Sequence, residues 1–280
     1  MWDKMRKISI ALLLSVFLLP IISNGQTNVS LNPTVGAKLS VGVDKKIVKG
    51  FHVSLSEEIR LDNNFCKFDR FHTTLALSYK VNSYFKVGVG YAMINPYSST
   101  NKAFKKARHR FMVDATGSIL AGNWKFSLKE RFQMTHYSGD INEYQKPRNA
   151  LALKSRFTVK YYFSKKYSFY TYVEMRNYLN APVIAAAYDG TNYLTTDDYE
   201  QKGDAGWFLK GFNGGYINRL RGCLGTEIKI GKHNTINAFF QGDFVNDKVV
   251  DANAEGTKLK SYNRERGFVG WLGFEYEFSF

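Results

Sequence analysis

His136 and Ser138 stand two residues apart near the end of a predicted strand, and Asn149 follows beyond a loop. A histidine beside a serine hydroxyl can accept its proton and convert the oxygen into a nucleophile that attacks an ester. An asparagine behind the histidine can hold the imidazole in one orientation. A histidine at a loop mouth with an unrelated serine gives the same spacing, so the motif alone assigns no catalytic residue.

A second group of residues is charged and falls at alternate positions of apolar segments. Alternate side chains of a strand point to opposite faces, so these charges share one face. They can form an Arg/Glu network that fills a narrow interior, or a basic pore lining that binds or passes anions. The group comprises Glu58, Arg60, Arg110, Arg131, Arg156, Glu174, Arg176, Arg219, Arg221 and Glu227. The same alternation adds Arg70, Asp114, Lys129, Lys160, Asp243, Glu275 and Glu277.

Strands are the elements that must position these residues. Residues 268–280 carry apolar side chains at most even positions, whereas Glu275, Glu277 and Ser279 occupy odd ones. Alternation that runs to a terminal aromatic residue is typical of the closing strand of an outer-membrane barrel, with one face toward lipid. Similar segments recur from residue 35 onward, rich in Tyr, Phe and Val and without helical spacing. They predict an all-β fold.

The predicted connections alternate between short and long. Those at 82–83, 121–123, 164–166 and 231–234 are short, whereas those at 95–109, 137–150, 178–218 and 245–267 are long. Short turns belong at the periplasmic end of a barrel and long loops at the outer end. Eleven segments are readable, but a barrel with both termini in the periplasm needs an even number. We therefore expect twelve strands, with an extra one at 27–32, or ten if residues 35–43 lie outside the wall.

The N-terminal segment resembles an export signal. Lys4, Arg6 and Lys7 precede the apolar residues 8–22, and a small residue at 23 and at 25 suits cleavage before Gln26. The expected organisation is a signal peptide at 1–25 and one barrel domain at 26–280. The chain is basic, with a formal net charge of +15. An exported chain has no access to nucleic acid, so phosphorylated glycolipid is the expected anionic neighbour.

Several smaller features complete the pattern. Cys66 and Cys223 do not form a disulfide framework, and we expect both to be unpaired. Glu57 and Glu130 interrupt apolar faces, which we interpret as β-bulges.

The segment 178–218, with acidic residues Asp197, Asp198 and Glu200, could constrict a lumen or form an interaction surface. A basic loop is either solvated or attracted to glycolipid phosphates. It comprises Lys102, Lys105, Lys106, Arg108, His109 and Arg110.

Longer stretches resemble a family of uncharacterised outer-membrane β-barrels of Gram-negative bacteria, known only as a domain of unknown function. They are LSEEIRLDNN from 55, SYKVNSYFKVGVGYAMINP from 78, WKFSLKERFQ from 124, RNALALKSRFTVKYYFSKKYSFYTYVEMRNYL from 148 and RLRGCLGTEIKIGKHNTINAFFQGDF from 219. This resemblance implies the fold and no activity. His136-Tyr137-Ser138 also resembles the His-x-Ser arrangement of outer-membrane phospholipases and lipid A deacylases, although Gly139 follows where those families carry asparagine.

These features together predict an antiparallel transmembrane β-barrel in the cell outer membrane. Its expected role is structural, or that of a narrow or plugged channel; lipid-ester hydrolysis through Ser138 and His136, and surface binding, are the alternatives. A soluble β-sandwich would share the alternation but not the terminal aromatic residue or the loop asymmetry. We expect no cofactor and no metal site. The expected partners are outer-membrane lipid, lipopolysaccharide and, through the C-terminal strand, the barrel-assembly machinery.

Overall fold

The computed structural model describes residues 27–62, 64–185, 187–188, 193–194, 208–254 and 259–280. Within these ranges the structure contains no helix that could span a membrane. The expected signal segment and the acidic residues Asp197, Asp198 and Glu200 lie outside the described residues. The strands are β1 Thr27–Ser30, β2 Thr34–Val48, β3 Phe51–Asp62, β4 Lys67–Lys80, β5 Phe85–Ser98, β6 Ala103–Phe104, β7 Arg108–Ala121, β8 Trp124–Tyr137, β9 Asn149–Tyr162, β10 Tyr167–Ala185, β11 Ala187–Tyr188, β12 Tyr193–Leu194, β13 Phe208–Ile230, β14 Asn234–Ala252 and β15 Leu259–Ser279.

Eleven of these strands close into a barrel, in the order β2-β3-β4-β5-β7-β8-β9-β10-β13-β14-β15. Successive wall strands pair antiparallel, but the closing pair of β15 with β2 is parallel, from Val269 opposite Thr34 to Ser279 opposite Asp44. The expectation of twelve or ten strands is therefore wrong. An even number is required only when the first and last wall strands are antiparallel, and here they run in the same direction.

The extra strand expected at 27–32 exists as β1, but it adds no separate position to the wall. It pairs parallel with β15, with Thr27 opposite Asn263 and Ser30 opposite Arg266. Strand β2 pairs with the next part of the same edge of β15. β1 and β2 thus follow one another along a single strand, which is why the wall count stays at eleven.

Tight turns occupy one end of the barrel. Gly50, Gly122 and Gly231 adopt positive φ angles of 84°, 58° and 69° there, a conformation that residues with a Cβ rarely adopt. In the turn before β5, the Asn82 side chain accepts hydrogen bonds from the backbone N–H groups of residues 84 and 85, each at 2.8 Å. These local signals support the predicted alternation of short turns with longer connections at the opposite, loop end.

The loop end differs from the prediction because the strands on one side are longer. Strands β2 to β9, apart from the two-residue β6, have 12–15 residues, whereas β10, β13, β14 and β15 have 19–23. Much of the predicted loops at 178–218 and 245–267 is therefore strand. This side of the wall extends beyond the other at the loop end.

The β8–β9 connection, residues 138–148, reaches this taller side, and we call it the strap. Asn142 Nδ2 donates to the carbonyl of Asn253 at 3.1 Å, and Gln145 Nε2 donates to Asp251 Oδ1 at 2.7 Å. Strands β9, β10 and β13 separate β8 from β14 in the sheet order. The strap therefore crosses part of the barrel mouth rather than following its rim.

The two faces of the wall have opposite character. Large apolar side chains point outward and are exposed on every barrel strand; Val41 is 59%, Val113 56% and Leu224 54% exposed. Most charged side chains of the wall point inward, and Glu174 and Asp243 are only 4% and 1% exposed. Soluble barrels place the apolar face inside, so this wall is inverted relative to them.

Glu57 and Glu130 lie on the outer face without a β-bulge at either position, so the bulge interpretation is wrong. Thr73 Oγ1 donates to Glu57 Oε2 at 3.0 Å, and Ser155 Oγ donates to Glu130 Oε2 at 2.6 Å. Each carboxylate is thus paired with a hydroxyl on a neighbouring strand.

Candidate functional site

A row of alternating charge crosses four neighbouring strands on the inner face, and we call it the alternating row: Arg156, Glu174, Arg221 and Asp243. Strand register sets each of these residues directly opposite the next. Opposite charges at directly paired positions stabilise a sheet. Arg156 Nε lies 2.8 Å from Glu174 Oε2, and Arg221 Nη1 lies 2.9 Å from Glu174 Oε1. One carboxylate therefore accepts hydrogen bonds from arginines on both sides.

Asp243 ends this row and is the acceptor of several hydrogen bonds. Arg221 binds it with two nitrogens, Nε at 2.7 Å and Nη2 at 2.9 Å. Gln241 Nε2 donates to the same carboxylate at 2.8 Å, and the Tyr172 hydroxyl donates to Gln241 Oε1 at 3.0 Å. A two-pronged Arg–carboxylate pair is among the stronger interactions in proteins. Asp243 thus fixes β10, β13 and β14 relative to one another.

The next rung toward the loop end carries only positive charge, and we call it the cationic row: Arg131, Lys154, Arg176 and Arg219. These residues also stand directly opposite one another on β8, β9, β10 and β13. Like charges at directly paired positions destabilise a sheet. This row therefore needs negative charge or hydrogen-bond acceptors from outside itself.

Each of its members has such a partner, but Lys154 Nζ lies 4.0 Å from its own, Glu174 Oε1, whereas the other three have closer contacts. Arg131 binds Asp114 with two nitrogens at 2.6 and 2.7 Å, and Arg219 Nη2 lies 3.7 Å from Asp247 Oδ2. Arg176 Nε donates to Asn218 Oδ1 at 2.7 Å, where a register shift inserts an extra residue in β13. In the Arg/Glu network that we predicted, Arg131 thus binds an aspartate and Arg176 an amide.

The remaining predicted lumenal residues also lie inside the barrel. Glu227 accepts from Lys160 Nζ at 2.6 Å, and Glu58 accepts from Arg60 Nε at 2.6 Å. Arg110 Nε donates to the Thr135 hydroxyl at 3.1 Å. No carboxylate in the described part of the chain lies within ion-pair distance of Arg110.

These side chains surround a cavity of about 520 Å³ in the barrel interior. Its lining also includes Lys38, Lys154 and the buried, free Cys223. Sequence reasoning missed Lys38 and Lys154 as lumenal residues, although each falls two positions from a residue on the polar face of its strand. Cys66 is likewise free and is exposed, so both cysteines are unpaired as predicted.

His136, Ser138 and Asn149 lie at the outer rim of the loop end. His136 pairs in register with Asn149, and His136 Nδ1 lies 2.8 Å from Asn149 Oδ1. Ser138 follows the end of β8 and is exposed. Among the hydrogen bonds of the described residues, none joins Ser138 to His136. The structure thus brings together the predicted histidine and its orienting asparagine but not the nucleophile.

The basic loop contributes to a cluster around Tyr137 at the barrel mouth. The Arg108 guanidinium carbon lies 5.2 Å from the centre of the Tyr137 ring, and Lys146 Nζ lies 4.8 Å from it. Lys106 Nζ lies 3.6 Å from Asp140 Oδ2 on the strap. Burial and the neighbouring cations Arg108 and Lys105 lower the pKa of Lys146. Positive charge therefore accumulates where the strap meets β7.

Comparison with known proteins assigns the chain to a family. It belongs to a family of proteins of unknown function, DUF2490, whose model matches residues 36–191. The match is shorter than the sequence resemblance suggested and ends before β13. No curated protein matches the chain. Strands β13 to β15, which carry Arg221 and Asp243 and close the barrel, lie outside the matched residues.

Proposed function

We propose that this DUF2490 protein is an outer-membrane β-barrel with a narrow, charged lumen, serving a structural role or a restricted passage rather than open diffusion. The inverted wall is the observation that carries this proposal. In water, an apolar outer face around all eleven strands would form an exposed patch far larger than soluble monomers tolerate. In hydrocarbon the same face is favourable, and the closed ladder satisfies the backbone.

Aromatic residues at the turn end also support a membrane location. Tyr84, Trp124, Phe163, Tyr167 and Phe280 are all exposed there. Aromatic side chains are enriched where a bilayer meets water, because one edge of the ring is apolar and its polar groups reach the interface. A belt at one end of the barrel is what this location would require.

Export and assembly belong to the same proposal. We infer that residues 1–25 direct export and are removed, and that the barrel-assembly machinery of a Gram-negative cell engages β15. Lipid and lipopolysaccharide are the proposed neighbours of the outer face, and lipopolysaccharide phosphates suit the basic loop. The support is the sequence pattern of the N-terminal segment and the aromatic end of the chain.

Fractionation of a Gram-negative host tests the location. We expect the full chain in the outer-membrane fraction and faster migration of unheated than of heated samples on gels. Replacing Phe278 and Phe280 by Ser should reduce insertion, whereas the neighbouring Ser279→Ala should not. Mature protein that stays soluble without detergent would overturn the proposal.

Planar-bilayer recording tests the lumen. The ion-pair network and the strap predict low conductance, and Arg221→Ala is expected to destabilise the barrel without a large change in ion preference. An intact melting transition together with a shifted reversal potential would instead indicate an open, arginine-selective pore.

Lipid-ester hydrolysis is a second candidate, because the 2.8 Å contact between His136 and Asn149 reproduces two parts of a catalytic triad at the membrane edge. Phospholipid hydrolysis in detergent micelles tests it. The hypothesis requires activity that Ser138→Ala and His136→Ala abolish and that the exposed control Ser99→Ala retains. Absence of hydrolysis by the wild-type protein rejects it.

A surface-binding role is the third candidate, supported by the taller side of the wall and by the strap that contacts it. Deleting residues 140–146 should then remove binding of whole cells to a surface ligand while the barrel still inserts. Unchanged binding by this variant would exclude the strap as the contact site.

A further inference from the structure

Three cations lining the central cavity have no carboxylate within hydrogen-bond distance among the described residues, and we call them the unpaired cations: Lys38, Arg110 and Lys154. Lys38 is 4% exposed, and its Nζ lies 4.8 Å from the centre of the Trp271 ring. A buried charge is costly unless it is paired, and a cation–π contact offsets only part of that cost. The positive charge on the cavity wall is therefore not fully balanced by negative charge.

Strand register explains why these cations lack partners. Lys154 stands opposite Arg131 on one side and Arg176 on the other. Arg110 stands opposite an alanine and a threonine, and Lys38 stands opposite Arg60 and a glycine. In each case the neighbouring positions supply no negative charge.

Nearby carboxylates are already occupied. Glu174 is 4.0 Å from Lys154 Nζ but accepts shorter hydrogen bonds from two arginines of the alternating row. Glu58 binds Arg60, and Glu227 binds Lys160. Among the described residues that line the cavity, Glu275 is the one carboxylate with no ion pair. Cations therefore outnumber carboxylates around the cavity, since Glu174 already serves two arginines and Asp114 serves both Lys129 and Arg131.

Positive charge also leads from the mouth to this cavity. Arg108 and Arg110 are alternate residues of β7 and point to the same inner face. Arg108 and Lys146 contact Tyr137 at the mouth, and Arg110 lines the cavity. A basic path of this kind concentrates anions and guides them inward. Together, the basic residues at the mouth and the cavity behind them resemble an entry route and a binding site for anions.

We propose that the lumen binds a small divalent oxyanion of the phosphate class, coordinated by Arg110 and Lys154 with Lys38 completing the charge balance. Its negative charge would offset this excess of cations, and arginine matches phosphate geometry with two parallel hydrogen bonds. The wall is a continuous ladder of paired strands, so the ligand comes from water through the loop end rather than from a lipid headgroup. This site depends on the barrel and not on its membrane location.

Phosphate titration of the purified mature protein in phosphate-free detergent tests the site, with chloride at matched ionic strength as the reference. We expect saturable binding by calorimetry and a phosphate-dependent rise in melting temperature. Arg110→Gln and Lys154→Gln should each weaken binding by about tenfold or more, corresponding to about 1.4 kcal/mol. Lys232→Gln, which removes an exposed charge at the turn end, should leave the affinity within about twofold.

Three results would overturn the site. The first is equal response to phosphate and chloride, and the second is equal weakening by Lys232→Gln and Arg110→Gln. The third is competition by a phospholipid added to the micelles, which would indicate that phosphate binds at the outer rim and not in the cavity. A protein that proved soluble without detergent but still bound phosphate in this way would reject the proposed location and keep the site.

Discussion

The alternating row and the cationic row lie one rung apart and share strands β9, β10 and β13, yet one alternates in charge and the other is entirely positive. In the alternating row, register places Glu174 between Arg156 and Arg221. In the cationic row, the same register places Lys154 between Arg131 and Arg176. A residue's face follows from alternation along its own strand, but its charge partner depends on which residues the neighbouring strands present. The alternating row therefore stabilises the barrel, whereas the cationic row leaves Lys154 without a carboxylate at hydrogen-bond distance and so available to the proposed anion.

Breaking the alternating row at its buried end should have the largest effect. Asp243→Asn leaves Arg221 without its two-pronged partner and is expected to lower the free energy of unfolding by about 3–5 kcal/mol. Equilibrium unfolding in micelles measures it. Asp140→Asn, at an exposed strap position, is the matched control and should change little. Equal stability of Asp243→Asn and wild type would mean that the row does not hold the wall together.

Two substitutions on β9 should change the free energy of unfolding in opposite directions. Arg156→Met removes one of the two arginines bound to Glu174 and should destabilise by about 2–3 kcal/mol. Lys154→Met, two residues earlier on the same face, removes a cation held between arginines and should stabilise by about 1 kcal/mol in phosphate-free buffer. Thermal melting of the two variants side by side measures this. A loss of stability in both would remove the distinction between the rows.

Supplying a carboxylate to an unpaired cation should imitate the proposed ligand. Thr135 already accepts a hydrogen bond from Arg110, so Thr135→Asp places a negative charge at that contact. We expect a gain of about 1 kcal/mol and weaker phosphate binding, because the site is then partly neutralised. Thr135→Asn has the same shape without the charge and should show neither change. A Thr135→Asp protein with full phosphate affinity would argue against Arg110 as a ligand.

The smallest effect is expected at the strap. Gln145→Ala removes the hydrogen bond to Asp251 and should cost about 0.5–1 kcal/mol of local stability. Phosphate should then reach the cavity faster with nearly unchanged affinity, as stopped-flow Trp271 fluorescence would detect through its contact with Lys38. Slower or unchanged entry would mean that the strap does not obstruct the path.

The sequence alone determined the all-β fold, the two faces of each strand and the side on which the charges lie. These features follow from alternation, which is local and needs no knowledge of neighbouring strands. It was thus possible to place Glu174, Arg221 and Asp243 on one face before any pairing was known. The short connections at 121–123 and 231–234 were also predicted, from the gaps between alternating segments, and Gly122 and Gly231 adopt positive φ angles there.

Only the tertiary structure decided how the strands pair. Strands β2 and β15 pair in parallel, so the barrel closes with eleven strands. Whether the number of wall strands is odd or even depends on the relative direction of the first and last strands, which is known only once they pair. The same pairing chose partners, giving Arg131 an aspartate and Arg176 an amide. It also left Lys154 between arginines, which no periodicity within β9 could reveal. Partner choice is a long-range property, because residues 17 or more positions apart along the chain must come into register.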